Sequence, residues 1–318
     1  MKPYAFGVDI GGTTIKMGFF SSDGKFIDHW EIPTRTENNG EMVLPDIARS
    51  IKKKLKQSEL TLDDLEGVGV GVPGPVLPDG VVNKCVNLGW DVIDVRKQLS
   101  SLLDGVYVEV GNDANVAALG EQWNGGGKGH DNVVMVTLGT GVGGGIILGG
   151  KILAGSNGAA GEIGHMKVRD NETAVCGCGK KGCLEQYSSA TGVVRLAKLS
   201  LAANPTVDTP LRSLDPLTAK DVFDYAKTGD EFSLSIVDIV GKMLGEAVAH
   251  ITCVVDPDVI VIGGGVSKAG QILLDAVEKH YKPAAFHASR DTDFKLAVLG
   301  NEAGMYGAVR MVLTKYWF

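Results

Sequence analysis

Three cysteines, Cys176, Cys178 and Cys183, fall within eight positions in the run Cys-Gly-Cys-Gly-Lys-Lys-Gly-Cys. In a chain with five cysteines, an odd number, such crowding suits a metal site better than a disulfide framework. The best candidate for a fourth ligand is His165 in Gly161-Glu162-Ile-Gly-His165. A lone histidine is more often a surface or core residue, but beside three clustered cysteines ligation is the better reading. Four protein ligands close a tetrahedron, so the expected metal is a structural Zn2+. Two glutamates flank the knot: Glu162, three residues before the histidine, and Glu185, two after the last cysteine. A glutamate is ordinarily a solvated surface residue; here the knot would fix both carboxylates where they could accept hydrogen bonds from a polyol. Cys85 and Cys253 stand alone and read as small buried hydrophobes.

A second set of residues bears on phosphate chemistry. Asp9-Ile-Gly-Gly-Thr-Thr14 and Leu138-Gly-Thr-Gly-Val-Gly-Gly144 read as one device used twice, a glycine-rich turn joining two strands. Exposed N–H groups and the hydroxyls of Thr13, Thr14 and Thr140 can donate to phosphate oxygens without a side chain in the way. Either turn alone could be an ordinary hairpin; two copies, one with an acid at the strand end, favour phosphate binding. Gly111-Asn112-Asp113-Ala-Asn115 follows a strand and opens a helix. By itself this segment favours Asp113 as a helix N-cap, worth roughly 1 kcal/mol. The alternative is a general base at the strand end that takes a proton from a hydroxyl attacking phosphorus.

Two glycine patterns are decoys. Gly69-Val-Gly71-Val-Pro-Gly74 and Gly139-Thr-Gly141-Val-Gly-Gly144 match a dinucleotide fingerprint, but neither is followed by the helix N-terminus that would face a pyrophosphate. Gly145 to Lys151 imitates Walker A spacing, yet Ile152 stands where Ser or Thr would hold magnesium.

The elements that must position these residues alternate between strand and helix. The spacing predicts strands over Tyr4–Ile10, Ile15–Phe20, Phe26–Ile32, Gly67–Val72 and Val106–Val110, with helices over Met42–Lys56 and Val95–Leu103. A second set begins at Asp113, with a helix to Trp123 and strands over Val133–Leu138, Val142–Leu148 and Ile152–Ala154. Then come a long helix over Phe232–Val255, a strand over Val259–Ile262 ending in Gly263-Gly264-Gly265, and a helix over Ser267–Lys282. A strand over Lys295–Leu299 precedes a helix from Glu302 to Tyr316, and 203–217 reads as loop. The expected organisation is a small α/β lobe over 1–112, with the terminal helix 302–318 packing back on it. A large α/β lobe over 113–301 would carry the metal motif, the two lobes facing a cleft. With 318 residues, 44% of them hydrophobic, the chain can bury two such cores.

A net charge of −7 argues against a nucleic-acid or anionic-membrane partner. The run Lys52-Lys53-Lys54 with Lys56 reads as a solvated helix face. No stretch has the make-up of a signal peptide or a membrane span, so a cytoplasmic protein is expected.

Cys176-Gly-Cys178-Gly179-Lys-Lys-Gly182-Cys183-Leu-Glu185 resembles the signature of the ROK family, with Asp9-Ile-Gly-Gly-Thr-Thr-Ile-Lys16 and Gly-Asn112-Asp113-Ala-Asn-Val-Ala-Ala in the family's order. The likeness spans nearly the whole chain. It implies a two-lobed actin-like ATPase architecture of RNase H-like topology, with zinc in the larger lobe, which would also form a homodimer. It further implies Asp113 as catalytic base and Asn112, Glu162, His165 and Glu185 as ligands of sugar hydroxyls, with Asn87 in Asn-Leu-Gly-Trp90 also reaching the sugar. His165 would share in the zinc site with Cys176, Cys178 and Cys183.

For the nucleotide, the resemblance implies that Asp9 orients hydrated Mg2+. Gly11, Gly12, Thr13, Thr14 and Lys16 would hold ATP phosphates together with Gly139, Thr140 and Gly141, and Gly263, Gly264 and Gly265 would lie by the adenosine. Ala159-Ala160-Gly161-Glu162-Ile-Gly-His165 and the short spacer to Cys176 look most like the Gram-positive type of bacterial glucokinase. That implies transfer of the ATP γ-phosphate to the 6-hydroxyl of glucose. The alternatives are a kinase for N-acetylmannosamine, fructose or mannose, or a sugar sensor without catalysis. A sensor of the repressor kind would need an N-terminal helix-turn-helix, and the first strand begins by Tyr4.

Overall fold

Gly67, Gly69 and Gly71 alternate with Val68, Val70 and Val72, so one face of this strand carries apolar side chains and the other is bare backbone. In the computed structural model, which describes residues 2–314, the chain order begins β1 (Tyr4–Ile10), β2 (Thr14–Ser21), β3 (Phe26–Pro33), a single turn α1 (Glu37–Gly40), α2 (Val43–Gln57) and β4 (Leu65–Val72). There follow β5 (Val81–Cys85), β6 (Trp90–Asp94), α3 (Val95–Leu102), β7 (Val108–Asn112), α4 (Asp113–Asn124), β8 (Val133–Leu138), β9 (Val142–Leu148) and β10 (Lys151–Ile152). The remainder is α5 (Glu185–Ser188), α6 (Ala190–Ala203), α7 (Ala219–Lys227), α8 (Glu231–Val255), β11 (Val259–Gly263), α9 (Gln271–Ala284), β12 (Asp293–Leu296) and α10 (Ala303–Thr314).

These elements form two units. The first comprises residues up to Asp131, Gly145–Gly161 and the chain from Leu299 onward; the second comprises Asn132–Gly144 and Glu162–Val298. The division falls after Asp131 rather than at 112/113, because α4 is held in the first unit by α10. A Cβ on Gly307 would lie 1.7 Å from the Val116 carbonyl oxygen, and one on Gly120 would lie 2.2 Å from that of Ala303. The two helices therefore meet backbone to backbone.

The first unit holds a five-stranded sheet in the order β3-β2-β1-β4-β7. β1 is antiparallel to β2 and parallel to β4, which is parallel to β7. On one face Phe6, Val8, Val68 and Val70 pack with Val43, Ile47 and Ile51 of α2, whose apolar residues recur at helical spacing. The bare face takes α10: a Cβ on Gly69 would come 1.8 Å from the Ala308 carbonyl oxygen, and one on Gly7 2.1 Å from that of Met305. Gly69, part of a dinucleotide-like pattern, thus serves helix packing. The described part of the terminal helix ends at Thr314, and the predicted turn beyond it lies outside the described residues.

The second unit holds β8, β11 and β12, all parallel, with Val259 opposite both Val133 and Asp293. α8 and α9 pack closely on each other. A Cβ on Gly241 would lie 2.4 Å from the Ala276 carbonyl oxygen. The helix predicted from Ser267 begins at Gln271, because Gly265–Ala269 is a separate 3-10 turn ended by Gly270 at φ +78°. The predicted loop over 203–217 contains one short 3-10 turn, Pro210–Ser213. Cys85 is buried, but Cys253 is exposed near the end of α8 beside Val254, so the reading of Cys253 as a core residue is corrected. Lys52 and Lys53 lie exposed on α2. No helix among the described residues is long and apolar enough to cross a membrane.

Gly307→Ala is expected to destabilise the protein by about 1–3 kcal/mol or more, since added volume meets main chain that has no rotamer to yield. Urea denaturation should show a lower midpoint at unchanged slope; an unchanged midpoint would refute the backbone contact.

Candidate active site and metal-binding cluster

In the second unit, Cys176, Cys178, Cys183 and His165 converge with one ligand atom of each within 4.8 Å of every other. The sulfurs of Cys178 and Cys183 are 3.7 Å apart, and Cys176 Sγ is 3.8 Å from His165 Nδ1. Zinc–thiolate bonds of about 2.3 Å at tetrahedral angles would separate neighbouring ligands by about 3.8 Å. The donor set therefore fits zinc in chemistry and in spacing. Burial pushes the Cys183 thiol up to about 12 with Cys178 and Cys176 beside it, and burial also raises Cys176. Cys178 is lowered, chiefly by the backbone N–H of Lys180. Metal binding would displace the protons of these thiols.

The two flanking glutamates differ. Glu162 is about half exposed, and its Oε2 lies 4.0 Å from His165 Nε2. The imidazole thus turns Nδ1 toward the thiols and Nε2 toward a carboxylate. Glu185 opens α5; its Oε1 lies 3.6 Å from Cys176 Sγ, while its Oε2 accepts the N–H of Val142 at 3.1 Å. Val142 follows the second glycine turn, so one carboxylate joins the cysteine knot to that turn. A Cβ at 141 would stand 2.2 Å from Glu185 Oε2, so a larger residue there would push this carboxylate aside. The turn is pinned further by Ala190 N–H to the Gly139 carbonyl and the Thr191 hydroxyl to that of Thr140, each at 2.8 Å. Thr140 itself is exposed.

β11 delivers Gly263, and of the three glycines that end it Gly265 lines a pocket of about 330 Å³ with Val266, Lys268 and, from the start of α7, Thr218, Lys220 and Phe223. The sequence reading did not single out the α7 side. Its signal was Thr218-x-x-Asp221, a capping box that fixes the helix start and hence these side chains.

In the first unit, Asp9 is the penultimate residue of β1, and the Gly11 N–H closes the turn that follows on the Thr14 carbonyl at 3.0 Å. Gly12 and Thr13 are exposed there, and Lys16 Nζ is 3.9 Å from Asp9 Oδ2. Burial raises the Asp9 carboxyl, with Lys16 opposing. The missing side chain of Gly304 gives that carboxylate its room, since a Cβ there would meet it at 2.6 Å.

Asp113 is corrected in its modest role. The N-cap of α4 is Asn112, whose Oδ1 accepts the N–H groups of Ala114 and Asn115 at 3.1 and 3.2 Å. Asp113 is the first helical residue, half-buried, with Oδ1 2.8 Å from the Ala114 nitrogen. Asn112 also donates to the Gly74 carbonyl at 3.1 Å, leaving one amide hydrogen for a ligand. Asn87 is exposed on the 3-10 turn Val86–Leu88, next to Cys85. The Cys85 thiol is raised first by burial; the backbone N–H groups of Leu88 and Asn87 oppose this, and the negative charge of Asp113 adds to it. Asp113 and the Asn87 turn therefore share a neighbourhood.

A strand with an acid at its end, glycine turns after strands and a helix opening on an acid fit a phosphoryl-transferring ATPase, here fitted with a cysteine-rich knot. The sequence profile of the ROK family matches residues 5–315, and the chain belongs to that family, with its α/β actin-like ATPase fold. It is 44% identical over 305 residues to a glucokinase of Halalkalibacterium halodurans, covering 95% of this chain and 92% of that protein. To a glucokinase of Thermotoga maritima it is 35% identical over 311 residues, covering 96% of each. Among solved structures it is similar to a ROK family glucokinase from Streptomyces griseus in complex with glucose and AMPPNP. There the TM-score is 0.75 and the identity 32%, covering 97% of this chain and 98% of that one.

Metal-stripped protein titrated with Co2+ should take up about one ion per chain, develop thiolate charge-transfer absorption and release protons, the affinity falling as pH falls. Replacing Cys183 with Ser should lower the absorption to that of two thiolates and weaken Co2+ binding; unchanged intensity and affinity would remove Cys183 from the ligand set.

Proposed function

We propose that the chain is an ATP-dependent glucokinase that phosphorylates the 6-hydroxyl of glucose. The observation that carries this reading is the divided histidine. His165 faces the thiols through Nδ1 and keeps Nε2 beside Glu162, so a metal held on one side would fix two hydroxyl-binding groups on the other. Relatives called glucokinases, at 44% and 35% identity over nearly the full chain, favour glucose over the other hexoses.

In this mechanism Asn87, Asn112, Glu162, His165 and Glu185 bind sugar hydroxyls. The turns at Gly11, Gly12, Thr13, Thr14 and at Gly139, Thr140, Gly141 donate N–H and O–H groups to the ATP phosphates, with Lys16 adding a charge. Gly263, Gly264 and Gly265 lie by the adenosine, and the pocket beside Gly265, with Phe223 on its wall, is apolar enough to receive a base. The sugar oxygen attacks the γ-phosphorus as the bond to the β,γ-bridging oxygen breaks, and its proton passes to the Asp113 carboxylate. Because the transition state is loose, donors around the phosphates supply most of the stabilisation, and Asp113 orients the hydroxyl and accepts the proton late.

Asp9 would orient the hydration shell of a Mg2+ arriving with the nucleotide, which would supply charge neutralisation at the phosphates. His165, Cys176, Cys178 and Cys183 would hold a structural zinc. The same reading includes a cytoplasmic homodimer.

A coupled ADP-release assay across glucose, mannose, fructose, N-acetylmannosamine and N-acetylglucosamine should give the highest kcat/KM for glucose. Asp113→Asn should lower kcat by roughly two orders of magnitude or more while sugar binding persists. Full turnover in that variant would remove Asp113 from the base role, and turnover of none of the sugars would favour a sensor.

A further inference from the structure

Against the cysteine knot, whose His165 and Cys183 form part of its wall, the second unit carries a depression of about 520 Å³ that Lys167, Arg169, Lys180 and Lys181 also line, with Glu172 as its one carboxylate. In a chain of net charge −7 this is a local reversal of sign. Glu172 is already committed: it accepts the Tyr187 hydroxyl and the N–H groups of Thr173 and Ala174, and it pairs with Arg195 at 2.8 Å. It does not neutralise the lysines around it.

The cations remain available to different degrees. Lys167 pairs with exposed Asp170 at 2.6 Å, a contact that solvent weakens. Lys180 spends one of its three hydrogens on the His165 carbonyl at 3.0 Å. Arg169 lies over the Tyr187 ring at 5.9 Å, which leaves its planar N–H edge for an anion. Lys181 is exposed.

Close backbone pairing builds the wall. Val168 N–H meets the Gly182 carbonyl at 2.8 Å, and Lys167 bridges Cys183. Gly182, at φ +75°, would place a Cβ 2.1 Å from the Arg169 carbonyl oxygen, so only glycine lets Lys181 and Arg169 approach this closely. Lys180 and Lys181 sit between two cysteines of the knot, which restrains the short loop that presents them.

We propose that this depression is a binding site for a phosphate dianion carried by a small metabolite, with Arg169 and Lys181 as its principal contacts. A guanidinium edge and ammonium groups around one concavity recognise a phosphomonoester by charge-assisted hydrogen bonds. The volume admits a ligand the size of a sugar phosphate. Occupancy would pull on Lys180 and so on the main chain of His165, giving the site a lever on the knot. None of this depends on which sugar the protein phosphorylates.

The test is calorimetric titration of the full, metal-loaded chain with two probes, glucose 6-phosphate and inorganic phosphate, against the double variant Arg169→Gln/Lys181→Gln. The expected result is saturable binding of at least one probe, weakened roughly tenfold or more in the double variant and reduced by added salt. The tighter probe identifies the source of the phosphate. If the double variant loses metal, each single variant is read instead. No saturable binding of either probe, or binding unchanged by the substitutions, overturns the proposal.

Discussion

Main chain laid against main chain is the constraint on which the first unit rests. α10 touches β1 and β4 at Gly7 and Gly69, and on its other side it meets α4 through Gly120 and Gly307. Each contact removes side chains from between two backbones, so the helix cannot tilt or slide without carbonyl oxygens colliding. α4 begins with Asp113 and α10 begins beside Asp9. The two acids proposed for phosphoryl transfer are therefore positioned by the same packed layer, and their placement is a property of the sheet and helices rather than of loops.

The second unit reaches a comparable rigidity by a different device. Its candidate site residues lie on short turns around the knot and on the glycine turn before β9, beside the buried Ile163, Leu184 and Tyr187. A metal on His165, Cys176, Cys178 and Cys183 would add its restraint to that packing. Glu185 then carries the restraint to Val142 and so to the second glycine turn. Under the proposed function one carboxylate would link the sugar, the metal cluster and the nucleotide, so loss of the metal would be felt by both substrates.

The legible parts of this fold were those with a local cause. Buried strands such as β8 and β11 announce themselves as short apolar runs, and the metal ligands as crowded cysteines. The identity of the cap at α4 was not legible, because Asn112 and Asp113 are both good caps and only backbone geometry decides which side chain turns back to the N–H groups. The hairpin β5–β6 was missed because Val81–Cys85 mixes exposed Asn83 and Lys84 with buried Val82 and Cys85, a pattern too short to count. Glycines 120 and 307 carried no local message at all. Each is needed only because of what lies opposite, the Ala303 carbonyl for Gly120 and the Val116 carbonyl for Gly307, far away in the chain.

That separation bears on how the protein comes to be made. The bare faces of β1 and β4 leave the ribosome long before the helix that covers them. Until residues 303–314 emerge, the sheet has one apolar face covered by α2 and one open to the surroundings. Contacts so distant in sequence close slowly, and an uncovered sheet face invites association with other chains. The nascent chain should therefore depend on chaperone shielding during much of its synthesis, in contrast to a protein whose layers are added in order.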